Sequence, residues 1–180
     1  MITNIEKASE LFKPIEVSES GTYIVSWDYS DITKDEMKFK NSAFVPTGKK
    51  ILTGRGKWKT IYFSSKPSFY SLQNKILSEI DTLVKDKILK GFVWNGYSVW
   101  LSSENQKNYS DWYNLAKSTD KIFPLTAKFN KNGKTIYYEF TTLSELEDLY
   151  INMTKYINDT VNYGRKMKDN INWDDYKNIP

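Results

Sequence analysis

Apolar and polar positions change rhythm along this chain, and each rhythm predicts an element. After Pro67, residues Leu72, Ile76, Ile80, Leu83, Val84 and Ile88 recur at helical spacing. Ser65 or Ser68 can cap, Pro67 suits a first helical turn and Gly91 supplies a stop, so a helix is expected over about 68–89. The stretch GFVWNGYSVWL then alternates with period two around Asn95-Gly96, a pair that accepts the positive φ angles of a tight hairpin turn. Pairing across that turn sets Trp94 opposite Tyr97, Phe92 opposite Val99 and Gly91 opposite Trp100. Residues 92, 94, 97 and 99 then share one apolar face, and Val93, Ser98 and Trp100 share the other.

Helical spacing returns at Tyr109, Trp112, Tyr113 and Ala116, behind Ser102 or Ser103 and Glu104 as a helix start. A second hairpin, LTAKFNKNGKTIYYEF, is centred on Asn132-Gly133. Its register places Leu125, Ala127, Phe129, Ile136, Tyr138 and Phe140 on one side and Thr126, Lys128, Asn130, Thr135, Tyr137 and Glu139 on the other. Thr142-Leu143-Ser144-Glu145 is a capping box. From it Leu143, Leu146, Tyr150, Met153, Ile157, Thr160, Gly164, Met167 and Ile171 step by three and four, widened by Leu149, Tyr156 and Tyr163. So wide a stripe favours packing on the chain's own hairpins over a sister helix.

The first 66 residues are less regular. Ile5, Ala8, Leu11 and Phe12 suggest a short helix that ends before Pro14, an arm outside the core. Thr22–Trp27 and Lys57–Ser64 read as strands. Between them DYSDITKDEMKFKNSAFVPTGKKILTGRG reads as irregular, with Lys49, Lys50, Arg55, Lys57 and Lys59 as a solvated loop rim. TGRGKW lacks the spacing of a phosphate-binding loop. The expected fold is α+β: two β-hairpins packed with a helix near 68–89, a middle helix near 103–117 and a long C-terminal helix near 143–170. Residues 1–66 form an N-terminal arm and an irregular β-containing segment, and 67–180 form an α+β module.

Composition narrows the chemistry. With no cysteine and no histidine, the chain lacks thiolate nucleophiles, the usual general base and the commonest metal ligands, so neither catalysis nor a cofactor nor a metal is expected. The net charge of +4 comes almost entirely from lysine, with Arg55 and Arg165 the only arginines, which disfavours nucleic acid as partner. No apolar run approaches the roughly 18 residues of a membrane span, and MITNIEKASELF lacks a signal-like stretch, so no membrane partner is expected and the chain is expected to stay in the cytoplasm where it is made. Carboxylates cluster at Asp28 with Asp31, Glu145 with Glu147 and Asp148, and Asp174 with Asp175; turn chemistry, helix N-terminal charge and a solvated terminus explain them without catalysis.

Aromatics make up 16% of the chain and are the fairer candidates for function. The expected core takes Phe92, Trp94, Tyr97, Val99, Trp112, Phe129, Ile136, Phe140, Leu146 and Ile157. Ile5, Leu11, Phe12, Trp27, Trp58 and Trp100 remain as candidate contact residues, with Trp100 balanced between core and surface.

GFVWNGYSVWLSSENQKNYSDWYNLA, the second hairpin with NG, and FTTLSELEDLYINMTKYINDTVNYGRKMKDNINW together resemble an uncharacterised C-terminal domain of bacteriophage tail and tail-fibre-associated proteins, especially in phages of gut Bacteroidales. The resemblance covers about residues 67–176. It implies a virion location and other phage structural proteins as partners, a homo-oligomer being one arrangement, and it brings no catalytic residue. A short chain without repeats suits an adaptor or attachment protein of the tail, collar or fibre region better than a fibre shaft. In that reading residues 1–20 order only on assembly. Two alternatives stand beside it: a glycan- or receptor-binding module using exposed Trp and Tyr, and a fibre-assembly chaperone absent from the mature virion.

Overall fold

A computed structural model describes residues 2–40 and 43–180. The fold is α+β, with two antiparallel four-stranded sheets and three helices among the described residues. The chain divides into two compact units, Met1–Glu79 with Asp169–Pro180, and Ile80–Lys168. The division falls inside the first helix rather than at residue 66, and the last twelve residues belong with the first unit.

The first unit holds β1 (Thr3–Ala8), β2 (Ile15–Val17), β3 (Tyr23–Lys40) and β4 (Ala43–Phe63) in the order β1-β4-β3-β2. The expected N-terminal helix is a strand. Residues Thr3 to Ala8 pair with β4 from Thr60 back to Arg55, setting Ile5 opposite Trp58, and only Ser9–Leu11 makes a helical turn. An isolated helix of about a dozen residues is marginal in water, whereas the open edge of β4 offers a full ladder of partners. The expectation that residues 1–20 order only on assembly is therefore corrected: β1 and β2 are paired within this sheet.

The expected irregular section is corrected as well. Residues 28–40 and 43–56 continue the two strands as one ribbon, with Phe39 opposite Phe44 and Lys40 opposite Ala43; Asn41 and Ser42 lie outside the described residues. The alternation is broken at three register shifts, between Trp27 and Ser30, Ile32 and Thr33, and Asp35 and Met37. Inserted residues of this kind bend a strand and strengthen its twist, and they erase the period-two signal.

Within the sheet, Val25, Trp27 and Ile61 are buried on one face and Ser26, Trp58 and Thr60 on the other. The Phe12 ring packs on Tyr29 at 4.8 Å and Trp58 at 5.6 Å, and the Tyr176 hydroxyl donates to the Ser26 carbonyl at 2.8 Å. Trp27 and Trp58, expected as contact residues, are thus core residues. Helix α1 (Phe69–Lys90) is capped by Ser68, whose Oγ accepts from the Ser71 N–H at 3.1 Å. Pro67 is buried just before that cap, not in the first turn.

The second unit contains β5 (Phe92–Trp94), β6 (Tyr97–Val99), β7 (Leu125–Lys131) and β8 (Lys134–Phe140) in the order β5-β6-β7-β8, with α2 (Ser103–Ala116) and α3 (Leu143–Asp169). Both hairpins have the expected register, and their turns carry positive φ at Asn95, Gly96, Asn132 and Gly133. Trp94, Val99, Phe129, Phe140, Leu146, Leu149 and Met153 form the centre of the core, with Phe92, Tyr97, Trp112 and Ile157 half-buried against it. Ile136 is also half-buried. Trp94 meets Tyr138 and Phe129 edge-on at 5.3 and 6.0 Å, and its indole N–H donates to Asp148 at 2.7 Å.

The α3 stripe faces this unit's own residues, as the wide pattern favours. Gly164 lies against Val84 and Ile80, the Tyr156 hydroxyl donates to the Lys87 carbonyl at 2.8 Å, and Lys168 pairs with Asp81 at 2.6 Å. The stripe departs from expectation at Tyr163, half exposed beneath the Lys87 ammonium, and at Ile171, beyond the helix end.

Candidate functional site

Two surfaces stand out, one in each unit. The first is the ribbon. β1 covers β4 only from Arg55 to Thr60, and β2 covers β3 only from Tyr23 to Val25. From Thr33, opposite Leu52, to Lys40 the two strands therefore pair with each other alone, over about 25 Å at 3.3 Å per residue. Met37, Ile51 and Leu52 are exposed along it, Leu52 at 67%.

Two short repeats shape the ribbon, Thr47-Gly48-Lys49 and Thr53-Gly54-Arg55. Gly48 and Gly54 take φ of 80° and 72°, and each threonine Oγ accepts from the N–H two residues on at 3.3 Å. Thr47 also donates to Glu36 and Thr53 to the Ile32 carbonyl, both at 2.7 Å. This repeat was the signal that sequence reasoning missed: a Thr-Gly-basic triplet recurring after six residues marks bulges in a continuing strand, not a loop. The basic residues are correspondingly on a strand. Lys50 pairs with Asp35, Arg55 with Glu6 and Lys59 with Asp28.

The second surface is a groove in the Ile80–Lys168 unit. β6 meets β7 at a single register pair, Ser98 with Asn130. Beyond it the chain leaves β7, because Gly91 holds it elsewhere. Gly91 has φ of 76° and closes α1 by donating to Ile88, and the Leu101 N–H donates back to the Leu89 carbonyl at 3.3 Å. The carbonyls turned away from β7 find side-chain partners in α2: Asn105 Nδ2 donates to Trp100 at 2.9 Å and Gln106 Nε2 to Leu101 at 2.8 Å. Ser102 Oγ caps α2 by accepting from the Asn105 N–H. The polar SSENQ thus supports a strand that has parted from its neighbour.

The parting leaves an opening of about 500 Å³ between Trp100, α2 and β7. Trp100 is 57% exposed, and its ring stacks on no other ring among the described residues. Trp112, Asn108, Thr126 and Lys128 face the same opening, whose floor includes the buried Tyr109 and Phe129. Burial pushes the Tyr109 hydroxyl up to about 12.

The structure places the remaining candidates apart from these surfaces. Ile5 is half-buried in β1, Leu11 is exposed in the turn after it, and Phe12 packs on Tyr29 and Trp58. The carboxylate clusters are engaged in local structure. Asp31 accepts from Tyr29 at 2.6 Å and Glu147 from Tyr113 at 2.9 Å, and these two bonds hold both hydroxyls above their ordinary range. Glu145 accepts from the Thr141 N–H and Asp174 pairs with Lys177. Among the described residues no group of three or more metal-ligating side chains comes together, and no helix is long and apolar enough to cross a membrane. No protein-family model, no curated protein and no solved structure matches the chain.

Proposed function

We propose that this chain is a non-enzymatic structural protein of a bacteriophage particle, an adaptor or attachment protein of the tail, collar or fibre region, present in the virion and in the host cytoplasm during assembly. The β3–β4 ribbon is its attachment element. One observation carries the reading: from Thr33 outward the ribbon has two unpaired edges and exposed Met37, Ile51 and Leu52. A two-stranded ribbon is marginal alone, and exposed edges invite a further strand. A neighbouring particle protein, or a second copy of this chain, would complete its ladder by strand addition. The assignment to a phage particle rests on the resemblance of residues 67–176 to the tail-associated domain.

The test uses purified particles of the phage that encodes the chain. Mass spectrometry should find the protein in them, and a variant with residues 34–51 replaced by Asn-Gly, closing Thr33 on Leu52, should fold but fail to be incorporated. Absence of the wild-type chain from finished particles would favour an assembly chaperone. Normal incorporation of the shortened chain would remove the ribbon from attachment.

A further inference from the structure

We propose that the groove between Trp100, α2 and β7 binds a carboxylated saccharide. Its volume, about 500 Å³, falls within the range of small-molecule sites. The exposed Trp100 ring offers a flat apolar platform of the kind that receives the C–H face of a pyranose, and Trp112 extends the wall. Around them the lining is unusually rich in uncommitted polar groups. Ser98, Asn108, Thr126 and Thr135 line the opening, and their side chains make no hydrogen bond among the described residues. A sugar presents a ring of hydroxyls, each both donor and acceptor, and amides and hydroxyls answer both roles.

The charge of the lining selects among sugars. Lys90 and Lys128 face the groove and no carboxylate does, so the site is cationic and complements a uronate-type carboxylate. Both ammonium groups lack an ion-pair partner among the described residues. Two isolated lysines without arginine do not make a track for a phosphate backbone, which argues for a saccharide over nucleic acid. Asn105 and Gln106 are occupied in holding the Trp100 and Leu101 carbonyls, so they shape the groove while the other side chains bind.

Calorimetric titration of the full chain with tetragalacturonate tests this, with maltotetraose as the neutral counterpart and tetraglutamate as a carboxylated peptide. Saturable binding of tetragalacturonate is expected, at least tenfold tighter than either control. Trp100→Ala should weaken it at least tenfold, and Lys128→Gln should weaken it severalfold and reduce its salt dependence. Tyr70→Ala, an exposed aromatic of the other unit, should leave it unchanged. Both groove variants alter exposed side chains, and Lys128→Gln reports on the site should Trp100→Ala disturb the fold. No saturable binding of tetragalacturonate, equal affinity for maltotetraose or tetraglutamate, or binding that survives both groove substitutions would overturn the proposal. Loss of the ribbon's attachment role would leave these results unaffected.

Discussion

Gly91→Ala should be the most damaging single-methyl change in the Ile80–Lys168 unit, and its cost can be split into two parts. The backbone at Gly91 has φ of 76°, where an L-residue loses about 1–2 kcal/mol. Gly96 has φ of 79° with open space around its missing Cβ, so Gly96→Ala carries that strain and little else. At Gly91 an added Cβ would lie 1.7 Å from the Val99 carbonyl oxygen and 3.1 Å from the Trp100 Cα. Close C–H···O contacts stop at about 3.3 Å, so the backbone must retreat by about 1.5 Å. That movement breaks the Leu101 to Leu89 hydrogen bond, worth about 1 kcal/mol, and disturbs the packing of Val99, which is fully buried. The close approach should therefore add at least about 2 kcal/mol beyond the strain shared with Gly96→Ala. Urea unfolding followed by tryptophan fluorescence would show this as a midpoint lower by roughly 1–2 M than that of Gly96→Ala, given slopes of about 1–2 kcal/mol/M. Equal midpoints would show that α1 and the Val99–Trp100 backbone do not need contact without a side chain, and would refute the account of how the groove opens.

Other substitutions probe neighbouring parts of the same unit. Gly164→Ala should destabilise by about 1–2 kcal/mol despite a helix-propensity gain of about 1 kcal/mol, because the new Cβ would lie 2.3 Å from Val84 Cγ2. Adding Val84→Ala should recover part of that loss in a thermal double-mutant cycle. Trp94→Phe, which keeps a ring in the core but removes the 2.7 Å bond to Asp148, should cost about 1–2 kcal/mol in chemical denaturation. Tyr109 is neutral in the folded unit up to about pH 12, whereas an unfolded tyrosine ionises near 10, so its contribution is complete below pH 10 and is lost as pH rises towards 12. Stability should fall by roughly 2–3 kcal/mol across that window on its account, and Tyr109→Phe should flatten the fall measured by urea titration at each pH.

The contrast between the two units shows what makes a sequence legible. Where one face is buried and one is solvated, as in β7 and β8, a period of two survives in the residues, and Asn132-Gly133 pins the register without ambiguity. In α3 the wide stripe likewise declares its buried side, and Leu146, Leu149 and Met153 lie where it points. In β3 and β4 the same backbone leaves no such trace. Near Val25 and Trp58 both faces are covered, while past Ile32 neither edge is paired with a further strand; bulges at Gly48 and Gly54 shift the phase between. β1 is hidden for a different reason: its pairing with β4 is a long-range contact that overrides a weak local preference. The groove was half legible. The Asn-Gly register placed Trp100 on the face away from the core. The divergence of β6 from β7 depends on a glycine at the end of α1 and on two α2 amides that take over the stranded carbonyls, a relation among three elements that no single period in the chain records.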